Sequence, residues 1–313
     1  MSHTLGFIGL GVMGGSMCAN LTRKSSKPVH VFDMSADAVA KAVEAGAIAE
    51  ASIDALAQRA DIVFLSLPSI VQVEAVCASL RDARGKVRTI VDMSTSDVAR
   101  TRALAASLAA DGIDYVDAPV ARTAEAAIKG TLLIMTGASA QAYASLEPLL
   151  ACMGSDLLHC GGVGAGQTVK ILNNMMVFMT VNALAEILTI GRRAGLDGKT
   201  LFDMLSKGSA DSFALRNHGM KSLVPDTYPE KIFPMAYAIK DAALALTLAK
   251  EAGFEPHIAQ HTYDIMCEAR DAGFAQNYHP AMVRVVDGRI AADKQADKQA
   301  DKHVDTRASH PHA

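Results

Sequence analysis

The chain has 313 residues, half of them hydrophobic and a fifth charged, enough for about two domains and a sizeable core. Lys and Arg total 30 against 33 Asp and Glu, a formal charge of −3 with His neutral. That near-balance excludes the strongly basic footprint of a nucleic-acid binder and a polybasic membrane-surface protein, and the apolar content excludes disorder over most of the chain.

Short apolar runs recur through the first half, at 5–9, 29–33, 61–67, 88–93, 114–118 and 131–136, with 156–159 as an extension. Ala-rich helical stretches such as 36–45 and 97–111 lie between them. Strands apolar on both faces, alternating with helices, predict βαβ units and a mostly parallel sheet. From about residue 164 helical periodicity takes over, in 166–194, 198–207, 234–252 and 257–272. The change falls at Gly161–Gly166, where four glycines occur in six residues. Residues 289–313 repeat a short unit (ADKQADKQADKH), lack an apolar pattern and read as a solvated, disordered tail.

Residues 168–194 are largely apolar, but Lys170, Asn173, Asn174, Asn182 and Glu186 interrupt them. Charge at membrane depth is expensive, so the expectation is a buried helix roughly 40 Å long and no membrane span. The five cysteines, Cys18, Cys77, Cys152, Cys160 and Cys267, form no Cys-x-x-Cys pair. They suggest neither a zinc site nor a disulfide framework, and fit a reducing, cytoplasmic setting. The start, MSHTLGFIGLG, lacks the charged n-region of a secretory signal. His257 and His261 are four apart on an expected helix, but no third ligand is evident and no metal is expected.

Gly9-Leu10-Gly11-Val12-Met13-Gly14 is a G-x-G-x-x-G that follows one expected strand, opens a helix and leads to a second strand ending at Asp33. That context is what a dinucleotide fingerprint requires. Gly9 permits the tight turn, Gly11 lets the backbone approach a pyrophosphate, and Gly14 lets helix and strand pack closely. The free N–H groups and dipole of the helix N-terminus favour the anion. Asp33, 19 residues after Gly14, can accept hydrogen bonds from the ribose hydroxyls and would repel a 2′-phosphate, and Met34 stands where a phosphate-binding Arg could sit. NAD is therefore the expected cofactor. The fold class expected is α/β: an N-terminal Rossmann-type dinucleotide-binding domain over 1–163, then an all-α domain over 164–288 with a long linking helix.

Three further motifs are Asp117-Ala118-Pro119-Val120 with Gly130-Thr131-Leu132 behind it, Gly164-Ala165-Gly166 leading to Lys170 and Asn173-Asn174, and Lys240-Asp241. With the glycine turn they resemble the β-hydroxyacid dehydrogenase family, which includes 3-hydroxyisobutyrate dehydrogenase and tartronate semialdehyde reductase. The resemblance covers residues 5 to about 285. It implies that Lys170 is the catalytic acid/base, with Asn173 and Asn174 at i+3 and i+4 on the same helix face. Partial burial would lower the pKa of that amine towards working pH. Cofactor contacts carry over to Val12, Met13, Asp33, Leu67, Thr95 and Lys240, and Phe233 is a candidate neighbour of the nicotinamide. Leu67 and Thr95 are expected at carboxyl ends of strands, where ligands bind in such sheets.

The chain departs from the family at the substrate loop. Many members have Ser-Gly-Gly after Asp-Ala-Pro-Val; here stand Ala121, Arg122 and Thr123. The guanidinium is a planar, permanently charged fork suited to a bulkier oxyanion. The stretch APVARTAEAAIKGTLL resembles that of 3-sulfolactaldehyde reductases, whose sulfonate is held by such an Arg, the first Asn of the pair and a Ser four residues after it. The last position here is Val177. The expected function is NAD-dependent hydride transfer between nicotinamide and a small anionic 3-hydroxy acid or semialdehyde, with Arg122, Thr123, Asn173 and Asn174 gripping the substrate. The alternative is an imine-reducing or non-catalytic dinucleotide-binding relative, for which Lys170 is the discriminating residue. The long apolar helix suggests a homodimer or homotetramer.

Overall fold

The computed structural model describes residues 3–230 and 232–289. The expected tail lies outside them, apart from Arg289. Nine strands form one sheet among these residues: β1 (Leu5–Ile8), β2 (Val29–Phe32), β3 (Ile48–Ala49), β4 (Ile62–Leu65), β5 (Thr89–Asp92), β6 (Asp114–Asp117), β7 (Val120–Ala121), β8 (Leu132–Gly137) and β9 (Gly154–Gly161). Their order is β3-β2-β1-β4-β5-β6-β8-β7, with β9 also pairing β8. Strands β1 to β6 pair in parallel, β8 runs antiparallel to β6 and β7, and β9 is parallel to β8. The break at Ala118–Pro119 separates β7 from β6 without shifting the register along β8, which runs from Asp117↔Gly137 to Val120↔Ile134 and Ala121↔Leu133.

Alternate residues of each central strand feed two cores. Leu5, Phe7, Val31, Phe64, Val91 and Val116 enter one, while Ile8, Val63, Leu65, Ile90 and Tyr115 enter the other. Burial on both faces is why these segments read as nearly unbroken apolar runs. Seven helices accompany the sheet: α1 (Val12–Lys24), α2 (Ala36–Glu44), α3 (Ile53–Ala57), α4 (Ile70–Asp82), α5 (Val98–Ala110), α6 (Ala124–Lys129) and α7 (Ala140–Leu150). Side chains of Ser35, Ser52, Ser69, Asp97, Thr123 and Ser139 cap the N-termini of α2 to α7. The first helix is the exception: Gly11 stands at its N-cap and no side chain closes it.

The 29-residue α8 (Ala165–Arg193) follows, then α9 (Gly198–Leu205), a π-helical segment Leu215–Leu223, α10 (Met235–Glu251), α11 (His257–Ala269) and α12 (Val283–Val286). The chain divides into two compact units, Met1–Leu172 and Asn173–Ala313, so the division falls inside α8. In the second unit Phe178, Val181, Leu184, Ala185 and Leu188 of α8 share a core with Phe202, Met235, Ala238, Met266 and Ala281. By length and mean hydropathy of 1.5, α8 is long and apolar enough to cross a membrane. The 3.6-residue spacing of its core positions is that of a helix packed on one side inside a protein.

Strands β4 and β5 end earlier than the sequence suggests. Leu67 and Thr95 lie in the turns beyond Leu65 and Asp92. The reason is chemical: the Leu67 N–H is drawn to Ser94 Oγ at 2.9 Å and the Ser94 N–H to Asp92 Oδ1 at 2.9 Å, so neither donor is left for a strand ladder.

Candidate active site

The glycine turn between β1 and α1 fits a phosphate. Gly9 has φ +92°, and a Cβ there would meet Ser66 O at 2.3 Å. A Cβ on Gly14 would meet Gly9 O at 2.0 Å, so helix and turn approach as only glycine allows. A Cβ on Gly11, by contrast, would meet nothing within 4 Å. The face of the uncapped helix end is therefore open, with no acidic residue in the first turn and Val12 70% exposed. Orphan N–H groups and open space together make an anion cradle. Met13, half-buried, packs on the core behind it.

Asp33, just past β2, accepts from the Leu10 N–H at 2.6 Å through Oδ2 and from the Ser35 N–H at 2.8 Å through Oδ1. The carboxylate is thus fixed beside the glycine turn, where a ribose bound at that turn would lie. Met34 next to it is 97% exposed and offers no cation.

A buried polar network joins the strand ends to the start of α8. Asp92, wholly buried at the end of β5, accepts from Ser94 N, from Ser96 Oγ at 3.1 Å and from Tyr115 Oη at 2.8 Å. Burial pushes its carboxyl above the ordinary range, opposed by those three donors. Asp117, at the end of β6, accepts from Gly164 N at 2.7 Å and Gln167 N at 2.8 Å, which satisfies the first turn of α8 from a strand 47 and 50 residues away. Burial raises the Asp117 carboxyl to about 6, again against its donors. Close approach is possible because residue 166 is glycine: a Cβ there would meet Met135 O at 2.3 Å and Asp117 Oδ2 at 2.8 Å. Leu67, Thr95 (between Ser94 and Ser96) and the helix turn leading to the half-buried Lys170 are gathered at the carboxyl edge of β4, β5 and β6.

The second unit gathers another set. Asn173 Nδ2 donates to Asn174 Oδ1 at 3.2 Å, and Asn174 Nδ2 donates to Asp241 Oδ2 at 2.7 Å. Asp241 is 2% exposed and pairs with Lys240, whose Nζ lies 3.1 Å from Oδ1 and 4.7 Å above the Tyr237 ring. Asn173, Asn174 and Lys240 are thereby linked through a buried carboxylate. Phe233 stacks on Phe178 at 6.1 Å and meets His279 edge-on at 5.6 Å.

Arg122 and Thr123 lie in the turn between β7 and α6. Thr123 Oγ1 is used as the N-cap of α6, accepting from Ala126 N. Arg122 is exposed, with φ +87°. Its Nη1 reaches Thr131 O at 2.7 Å, Ser155 Oγ at 3.0 Å and Asp156 Oδ2 at 2.8 Å. That pairing holds the Asp156 carboxyl below the usual range, behind a larger contribution from Ser155.

Asp117, Gln167 and Asp241 carry no role among the expected site residues. All three stand inside the motifs at 117–120, 164–170 and 240–241, and their signal is a polar side chain inside an apolar context. Their hydrogen-bond partners lie tens of residues away.

Residues 4–162 match the family of the NAD binding domain of 6-phosphogluconate dehydrogenase, and residues 164–286 match that described as NAD-binding of NADP-dependent 3-hydroxyisobutyrate dehydrogenase. The 2-(hydroxymethyl)glutarate dehydrogenase of Eubacterium barkeri is 35% identical over 287 residues, covering 91% of this chain and 95% of its own. The 2-hydroxy-3-oxopropionate reductase of Escherichia coli (strain K12) is 32% identical over 286 residues, covering 90% and 97%. The solved structure of Mycobacterium tuberculosis 3-hydroxyisobutyrate dehydrogenase with L-serine superposes with a TM-score of 0.84 at 27% identity, covering 91% of this chain and 99% of that one.

Proposed function

The chain belongs to the β-hydroxyacid dehydrogenase family and is a nicotinamide-dependent oxidoreductase of small hydroxy acids; on that footing we propose that Lys170 is its acid/base, NAD its preferred cofactor, and a small semialdehyde with an anionic head its substrate. The observation that carries this reading is the anchoring of the Lys170 helix turn, through Gln167 and Asp117, to the strand edge that also carries Thr95 and Leu67. When bound, the nicotinamide gives a hydride to the aldehyde carbon or takes one from the alcohol.

Lys170 Nζ then supplies a proton to the carbonyl oxygen in reduction and removes it from the hydroxyl in oxidation, so that charge does not build on oxygen. Asp33 holds the adenosine ribose and disfavours a 2′-phosphate, while Val12, Met13 and the Gly9, Gly11 and Gly14 turn carry the pyrophosphate. Thr95, Leu67 and Lys240 complete the cofactor contacts. Asn173, Asn174 and Thr123 orient the substrate, and Arg122 selects an anionic head group, carboxylate or sulfonate. A homodimer or homotetramer and a cytoplasmic setting belong to the same reading. All five cysteines are unpaired thiols, and burial pushes that of Cys18 up to about 12.

The test is turnover with NADH on tartronate semialdehyde, methylmalonate semialdehyde, succinate semialdehyde and 3-sulfolactaldehyde, with 2-(hydroxymethyl)glutarate and NAD in the reverse direction. Lys170→Ala is expected to lower kcat by about 10²–10⁴-fold with NADH affinity retained. Full turnover by that variant would remove the acid/base assignment, and no reduction of any of the aldehydes would remove the substrate class.

A further inference from the structure

Gln167 is fully buried, and its amide is used at both ends. Its Oε1 accepts from Ser96 N at 2.9 Å and its Nε2 donates to Ser94 O at 2.8 Å. The side chain therefore pairs with the two peptide groups that flank Thr95, as a neighbouring strand would. The other side of the turn is held as well: Asp92 takes the Ser94 N–H and Ser96 Oγ, and Ser94 Oγ takes the Leu67 N–H. Gln167 also stands one helical turn before Lys170, so the two share a face of α8. Burying an amide is unfavourable unless its donors and its acceptor find partners. An apolar side chain of the same volume would leave the Ser96 N–H and the Ser94 C=O without these partners. A primary amide carries a donor and an acceptor side by side, and so serves an N–H and a C=O on opposite sides of one residue.

We propose that Gln167 is a positioning residue. It clamps the Ser94–Ser96 turn to the first turn of α8 and so fixes Thr95 and Lys170 relative to each other at the cofactor edge of the sheet. The inference rests on the roles given above to Lys170 and Thr95. It goes beyond them in assigning the rigidity of the site to a side chain that touches neither substrate nor cofactor.

The test compares Gln167→Met, Gln167→Glu and Lys170→Ala in the full chain. NADH affinity is measured by fluorescence titration, and kcat and KM across pH as ratios to the unsubstituted enzyme. Gln167→Met keeps the volume and loses both hydrogen bonds. It is expected to lower kcat about 10- to 100-fold and weaken NADH binding about 5-fold, with the aldehyde KM changed less than about 3-fold. Gln167→Glu gives a sharper readout. As a neutral acid the introduced carboxyl accepts from Ser96 N–H and donates to Ser94 C=O; as a carboxylate it can only accept, and it repels that carbonyl. The charged groups that share its partners are Asp92 on β5, through Ser96, and Asp117 on β6, through the Gln167 N–H; Lys170 stands one turn on along the same face of α8, Tyr115 lies beyond Asp92, Cys160 on β9 beyond Asp117, and Arg102 on α5 at Val163 O. Burial and the two carboxylates favour the neutral form, against the opposing pull of the Lys170 cation. Its kcat ratio is therefore expected to come within about 3-fold of unity near pH 5.5 and to fall by about 10-fold or more by pH 8.

A Gln167→Met enzyme of unchanged melting temperature, kcat and NADH affinity overturns the proposal. So does a Gln167→Glu ratio that is flat with pH, and this arm decides the matter if Gln167→Met does not fold. Full turnover by Lys170→Ala removes the acid/base reading alone. The clamp is then judged by NADH affinity, which an unclamped Thr95 turn lowers and an unaffected one leaves as it is.

Discussion

Asp33 spends one oxygen on Leu10 N–H and the other on Ser35 N–H, so it enters any complex already oriented. Asp33→Ala is expected to raise the KM for NAD about 10-fold and to cut discrimination against NADP by a larger factor, measured as the ratio of kcat/KM for the two cofactors. An unchanged ratio would refute the cofactor argument. Arg122 makes the opposite kind of prediction. A non-glycine residue at φ +87° stores on the order of 1 kcal/mol or more of backbone strain. The exposed ion pair with Asp156 returns little of that. Arg122→Gly is expected to raise the melting temperature by about 2 °C while raising the substrate KM at least about 10-fold. Stability and affinity moving in opposite directions would identify a strained residue kept for binding. A gain in stability with no change in KM would show that Arg122 does not hold the substrate.

At the level of elements, α8 depends on a carboxylate that belongs to β6. The Asp117 carboxyl titrates near 6 in the folded chain against an ordinary value of 3.8, so the native state binds this proton more tightly than the unfolded chain does. Its contribution to stability is complete below about pH 4 and is lost as pH rises through 6, a swing on the order of 3 kcal/mol. Relative to Asp117→Asn, the melting temperature of the unsubstituted protein is therefore expected to climb as pH falls from 7 to 5, and parallel curves would contradict the burial argument. The existence of α8 was legible in its 27-residue apolar run, and so was the cofactor end, because Gly9 to Gly14 and Asp33 are close in sequence and each has its own physical signature. The clamp was not legible, since Gln167 and Ser96 are 71 residues apart and nothing local in either announces the other. The two-residue β7 was hidden for a related reason: its pairing is borrowed from the register β6 has already set on β8. The segment Leu215–Leu223 is polar at Arg216, Asn217, His218 and Lys221, and so shows no apolar stripe. It winds as a π-helix where Gly219 lies against the Phe202 ring.

For the molecule as a whole, α8 also carries an exposed apolar stripe, Val169, Leu172, Met176, Ile187 and Ile190, at spacings of three, four and eleven residues on one side of the helix. A row of that length on a chain of 32.9 kDa is expected to be covered by a second copy. A sedimentation mass of two or four chains, reduced towards one by Met176→Glu with Ile190→Glu, checks this. A single-chain mass at micromolar concentration would remove the oligomer.

The position of the unit division inside α8 matters for recombination. The glycine-rich run at 161–166 looks like the natural place to cut and join relatives, yet a crossover there would hand Asp117 and the Ser94–Ser96 turn a foreign residue 167 and a foreign first helical turn. A junction after Leu172 transfers Lys170 together with the strand ends that hold it, and leaves the recipient to contribute everything from Asn173 onward. Arg122, Thr123 and Lys170 are then inherited from one parent, and Asn173, Asn174 and Lys240 from the other.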